Sequence, residues 1–149
     1  MSQEALAVQV RKEDERWMRE QRQTAYHAMI RADMRQTTFA EAVRGQATGW
    51  SNSLPPELTA EAKEVNGEAF AALSLIELCG PQSVLDAAKE LYSLGGNMGY
   101  VYSRPSDQTG ETDPHYEVYS RHVDALKAFR EAAREALGYG EYTVWYSSP

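Results

Sequence analysis

A single cysteine, Cys79, stands among 149 residues, so no internal disulfide can form and nothing marks an oxidising compartment. No proline precedes Pro55 and no glycine precedes Gly45, so nothing interrupts a helix from Gln3 to Gln46. Long apolar runs are missing: the most apolar stretch, Ala69 to Ile76, is bounded by Glu68 and Glu77, well short of the roughly 20 residues of a membrane span. The early patch Ala5-Leu6-Ala7-Val8 has no basic region before it and runs into Arg11-Lys12-Glu13-Asp14-Glu15, so no signal peptide is expected and the cytoplasm is the default location. An excess of positive charge is also lacking. The formal net charge is −7, which argues against indiscriminate binding to nucleic acid or anionic lipid.

Histidine is scarce, and its spacing excludes one metal chemistry. Di-iron bundles use Glu-x-x-His pairs on facing helices, but Thr24, Thr112 and Tyr119 stand three residues before His27, His115 and His122. His115 and His122, with Asp113 and Asp124 nearby, give too few ligands on one face for a zinc site, and no metal or other cofactor is expected. Gly95-Gly96-Asn97 lacks the lysine of a phosphate-binding loop.

What is present is helical periodicity. Residues 1–46 carry eight Lys/Arg and seven Asp/Glu, and residues 56–149 carry seven and fifteen. That division predicts a long, highly charged but neutral helix followed by an acidic body. The first segment has a stripe of Met18, Ala25, Met29, Ala32, Phe39 and Val43, interrupted by Arg22 and Gln36 and thinning to Leu6, Val10 and Trp17 towards the front. Residues 1–16 are therefore expected to project from the core. Lys12, Arg16, Arg19 and Gln23 share a face, but Glu13, Glu15, Glu20 and Asp33 are interleaved, which reads as intrahelical ion pairing rather than a phosphate-binding surface.

A turn over Gly45–Pro56, tacked down by Trp50 and Leu54, leads to a second helix capped near Ser53 with prolines in its first turn. Its stripe Leu58, Ala62, Val65, Ala69, Ala72/Leu73 and Ile76 is the most regular in the chain, and its small residues suggest a central position. Glu61, Glu64 and Glu68 form a solvated acidic face. Gly80-Pro81 then ends one helix and opens another, as a kink or a near-continuous rod. Gly95-Gly96 is expected to stop that helix and begin a loop over 95–112. Asp113 caps and Pro114 opens the last helix, whose stripe is Val118, His122, Ala125/Leu126, Phe129, Ala132/Ala133 and Ala136/Leu137, closed by Gly138. The aromatic tail 139–149 is β-prone and could pair with Met98–Ser103.

The whole predicts a single all-α domain: an antiparallel three- to four-helix bundle with a long N-terminal helix, a Gly-Pro broken second helix and an aromatic C-terminal tail. Cys79 reads as a small buried hydrophobe at the bend rather than a nucleophile, because no histidine stands in a nucleophile signature with it.

The stretches LIELCGPQSVLDAAKEL (75–91) and ALKAFREAAREALG (125–138), with Phe129, Ala132, Ala133, Arg134, Leu137 and Gly138 closing the second, resemble uncharacterised small helical-bundle proteins of high-GC Gram-positive bacteria and their phages. That resemblance implies a helical bundle and carries no catalytic residue across. The expected role is non-enzymatic: a coiled-coil-like interaction module that self-associates or binds a protein partner through Trp17, Met18, Tyr142, Trp145 and Tyr146. One alternative is an acidic inhibitor occupying a basic nucleic-acid-binding protein. Another is a small-ligand binder or enzyme using residues 97–115, with Tyr100, Tyr102, Arg104 and His115 as the ligand loop.

Overall fold

A computed structural model describes residues 2–48 and 53–138. Four helices follow in order: α1 (Gln3–Ala42), α2 (Pro56–Cys79), α3 (Gln82–Ser103) and α4 (Pro114–Ala136). A single 3₁₀ turn, Gly110–Thr112, lies between the last two. Helix α1 runs antiparallel to α2 and α4, since Arg22 and Arg35 meet Cys79 and Glu68 of α2 while Tyr26 and Asp33 meet Phe129 and His122 of α4, and parallel to α3, where Gln36 and Phe39 lie against Gly95 and Gly99. All-α architecture is thus as the periodicity requires, and no strand occurs among the described residues apart from one isolated bridge, Thr48 to Ser53.

Three details of the expected layout are corrected. Gly80-Pro81 is neither a kink nor a continuation but a hairpin corner. Asn66 lies beside Gly96, and Phe70 stacks edge-on against Tyr92 at 6.3 Å, so α2 and α3 run antiparallel and count as two helices. Second, α3 does not stop at Gly95-Gly96 but runs on to Ser103. This removes most of the expected loop and the expected strand pairing of Met98–Ser103. Third, α3 rather than α2 is central, packing against the other three helices, whereas α2 buries only Val65, Ala69, Ala72 and Ile76.

The glycines explain why α3 survives. A helical glycine weakens a helix by about 1 kcal/mol relative to alanine, but Gly95 is demanded by packing. A Cβ there would sit 2.3 Å from Oε1 of the buried Gln36 and 3.4 Å from Oδ1 of Asp33. Close approach of α3 to α1 offsets the lost propensity, and tertiary contact overrides the local stop signal.

The main core gathers Tyr26, Met29 and Ile30 of α1, Ile76 of α2, Val84, Leu91 and Leu94 of α3, and Phe129 of α4. Two smaller clusters lie towards the other end: Ala40, Met98, Tyr102 and Val118, and then Phe39, Val43 and Val65 with Leu54. Leu54 therefore does tack its segment to the bundle, while Trp50 lies outside the described residues. The last helix begins as read from the sequence, with the Asp113 carboxylate accepting from the His115 backbone N–H at 3.0 Å. Helix α2 differs in its start, since Pro55 occupies the cap position and no side chain caps it.

Helix ends leave carbonyls without intrahelical partners, and α1 supplies them. Arg22 Nε donates to Cys79 O at 2.9 Å and Tyr26 Oη to Gly80 O at 2.6 Å. Beyond α1 the chain crosses the end of α3, where Gly45 N–H donates to Tyr102 O and Ala47 N–H to Ser103 O, each at 2.9 Å. Gly45 has φ +71°, a left-handed turn that glycine adopts without strain.

Asp33, expected to take part in intrahelical ion pairing, is instead buried. It accepts a hydrogen bond from His122 Nε2 at 2.8 Å, between α1 and α4. The carboxylate can only accept, so Nε2 carries the proton. His122 thereby takes the hydrogen-bonded core position that its place on the apolar stripe predicts. Glu61 and Glu64 are exposed as expected, while Glu68 pairs across helices with Arg35.

Two outcomes follow for stability. Burial pushes the Tyr26 hydroxyl up to about 12, with the nearby Arg22 charge working against it. The unfolded tyrosine ionises first, so this contribution is complete below pH 10 and is lost as pH rises towards 12. Tyr26→Phe should lower stability by about 1–2 kcal/mol at pH 8 and make the alkaline loss less steep, both read by urea unfolding. Asp33→Ala should lower stability by about 3 kcal/mol by stranding a buried imidazole, and adding His122→Leu should recover at least about 1 kcal/mol. Additive losses in that double-mutant cycle would mean the pair is uncoupled.

Candidate functional site

Two places on the bundle expose chemistry, at opposite ends of α1. The first is where α1 leaves the bundle. Side chains from residue 2 to residue 17 are exposed, and Met18 is the first half-buried one. At 1.5 Å per residue, roughly 22 Å of helix extends past the core. Its surface is held by i,i+4 contacts, Gln9 to Glu13 and Arg16 to Glu20, each at 3.3 Å. Where the arm meets the bundle, Trp17 and Met18 join Leu75, Leu78 and Cys79 of α2 around a cavity of about 220 Å³. Trp17 is 58% exposed and Leu78 85%. Leu78 has no core to enter because α2 ends one residue later.

Cys79 belongs to this apolar surface. It is half-buried as the last residue of α2, the negative end of that helix, and α3 opens three residues later at Gln82. Burial pushes its thiol above the ordinary cysteine value, and the Arg22 charge only partly offsets this. These facts agree with a packing role for the residue.

The second place is the far end, where α1 and α3 finish and α4 begins. Of the four residues expected to form a ligand loop, the structure brings Tyr102 and His115 into one cluster and Tyr100 and Arg104 into another. Tyr102 is buried in the core, with its ring 5.2 Å from the imidazole of His115 and 4.1 Å below the Arg44 guanidinium. Arg44 forks onto Glu41 at 2.9 and 3.1 Å and donates to His115 Nδ1 at 3.0 Å. His115 Nε2–H in turn donates to Arg104 O at 2.7 Å. Nδ1 thus faces a donor and Nε2 an acceptor, so both ring nitrogens are occupied. The Arg44 hydrogen bond holds the Glu41 carboxyl below its usual range. This cluster ties the ends of α1 and α3 to the start of α4.

Arg104 and Tyr100 face the other way. The Arg104 guanidinium stacks 3.7 Å over the Tyr100 ring, and Arg104 meets no carboxylate among the described residues. Both line a cavity of about 220 Å³ whose walls include Phe39, Val65, Asn66 and Gly96. Arg44 was missed as a functional-looking residue by sequence reasoning. It stands beyond the last stripe residue of α1, and no local pattern shows that His115, 71 positions away, would meet it. Tyr142, Trp145 and Tyr146 lie outside the described residues.

Among the described residues, no group of three or more His, Cys, Asp or Glu is placed to hold a metal, and no helix is long and apolar enough to cross a membrane. Comparison with family models, curated proteins and solved structures found no match.

At pH 7 a thiol-specific disulfide reagent should label Cys79 at least about tenfold more slowly in the native protein than in urea. Equal rates would show that the thiol is neither buried nor held protonated.

Proposed function

We propose that this chain works by protein contact and that its partner is a second copy, joined through antiparallel pairing of the two α1 arms. The carrying observation is the patch of Trp17, Leu75 and Leu78, exposed at the root of a helical arm that no other described element covers. Exposed aromatic and leucine side chains grouped at one place favour an interface, whereas single scattered ones need no explanation.

The arm itself argues for the occupant. Around the helix, Leu6, Val10 and Trp17 fall within about 40° of one another at 100° per residue. This face continues the line of α2 beyond its end at Cys79, where a further helix could lie. A second arm laid antiparallel, centred near Lys12, brings Leu6 of each copy to Trp17 of the other. Such a two-fold contact uses one patch twice and closes as a dimer. The charges allow it: Arg11, Lys12 and Arg16 flank the acidic block Glu13, Asp14 and Glu15. Near the axis, cations of one arm therefore lie within a turn of carboxylates of the other.

The overlap covers about 17 Å of helix, below the size of a standard stable interface, so the affinity should be micromolar. Sedimentation equilibrium is expected to show the 16.7 kDa chain moving towards twice its mass as concentration rises to about 0.5 mM. Trp17→Glu, or removal of residues 2–16, should leave a monomer with the bundle's thermal transition intact. A monomer at every concentration, or a dimer indifferent to both changes, would overturn the reading.

A further inference from the structure

The cavity at the opposite end carries an inference independent of self-association. We propose that it binds a small single-ring aromatic carboxylate bearing a hydrogen-bond donor at the end away from the carboxylate. Four observations converge on it: glycines not required by packing, a buried amide oxygen and a cation that find no partner among the described residues, and the size of the space.

Glycine is the first. Gly95 is required by its contact with Gln36, but the two glycines that follow on the cavity side are not. A Cβ at Gly96 would meet its nearest atom, Asn66 Oδ1, at 3.8 Å. One at Gly99 would meet the Phe39 ring at 3.8 Å. Both are ordinary van der Waals distances, so alanine would fit and would strengthen the helix. The chain instead leaves bare backbone as one wall of an open space lined by Phe39 and Val65. A flat ring can lie against such a wall, where any side chain would hold it off.

The second is Gln36. It is 2% exposed and lines the inner part of the cavity. Its Nε2 donates to Asn66 Oδ1 at 3.3 Å, but its Oε1 has no donor. A buried carbonyl oxygen without a partner is costly and calls for an explanation. A ligand hydroxyl or amine reaching this carboxamide supplies the missing donor, by a small turn of the amide.

The third is Arg104 at the mouth. Arg44, at the same end of the bundle, is consumed by Glu41 and His115. Arg104 has only the Tyr100 ring and a long 3.5 Å contact to the Tyr100 carbonyl. In a chain of net charge −7, a guanidinium that meets no carboxylate among the described residues is a ready partner for an anion, and its fork matches a ligand carboxylate.

The last is dimension. Arg104 reaches back over Tyr100, and from Gly95 to Tyr100 the helix rises about 7.5 Å. This is the span of one aromatic ring with a polar group at each end. An apolar cavity of about 150 Å³ accepts benzene, so about 220 Å³ accepts one substituted ring and not two.

The test uses 4-hydroxybenzoate, benzoate and phenol, titrated into the full-length chain and followed by calorimetry and by amide chemical shifts. We expect saturable one-to-one binding of 4-hydroxybenzoate, with shifts centred on Asn66, Gly96 and Gly99. Affinity should be lower for benzoate, which lacks the donor, and for phenol, which lacks the charge. Arg104→Gln should weaken 4-hydroxybenzoate about tenfold or more. Gly99→Ala should raise the melting temperature by about 2–4 °C while weakening binding, which separates loss of the site from loss of the fold. The proposal is overturned by absence of binding at millimolar concentration, by equal affinity for the three compounds, or by binding that survives both substitutions.

Discussion

Everything in this bundle is referred to α1, and the contact that sets the reference is its grip on the corner between α2 and α3. Arg22 and Tyr26 lie one turn apart and donate to successive carbonyls, Cys79 O and Gly80 O. These are the acceptors that a terminating helix leaves exposed. The Arg22 cation also meets the negative end of α2. A hairpin corner held on both carbonyls fixes where α2 stops, where α3 starts, and the depth at which both sit against α1. The apolar face of α2, built from Val65, Ala69, Ala72 and Ile76, is smooth and could slide by a turn. The clamp does not permit that.

The same logic runs along the helix. Asp33 reaches α4 through His122, and Gln36 reaches α2 through Asn66 and presses on α3 at Gly95. Each polar member of the α1 stripe therefore registers a different neighbour. Buried polar pairs of this kind add little net stability compared with apolar replacements, but breaking one partner is expensive, and alternative registers break them all. Apolar packing supplies the bulk of the core, and these few hydrogen bonds select one arrangement of it.

This division explains what could be read from the residues alone. Helices over 3–42, 56–79 and 114–136 were visible because their stripes, prolines and caps act within a few positions. The buried character of His122 was visible for the same reason. The reach of α3 was not, because Gly95, Gly96 and Gly99 carry a local stop signal and only the approach of α1 overrules it. Arg22 and Gln36 looked like interruptions of a stripe, and Asp33 like one member of an intrahelical ion-pair pattern. Their partners lie 57, 30 and 89 residues away. No periodicity carries that information. The candidate ligand residues were half legible: Tyr100 and Arg104 do line a cavity, whereas Tyr102 and His115 are spent on Arg44 in closing the bundle.

The cross-links also account for where exposed chemistry remains. They crowd the stretch of α1 from Arg22 to Gln36, and Arg44 adds a separate lock on the side facing α4. Two regions escape among the described residues: the arm before Met18, where no side chain from residue 2 to residue 17 is buried, and the wedge between Gln36 and Arg104, where glycines take the place of side chains. A rigid middle lets both differ from it without loosening the fold, since neither bears on the main core around Tyr26, Ile76 and Phe129. Changes at Trp17 or Gly99 should therefore act on association or binding rather than on folding, and that separability is what makes the two surfaces readable as sites instead of as defects in packing.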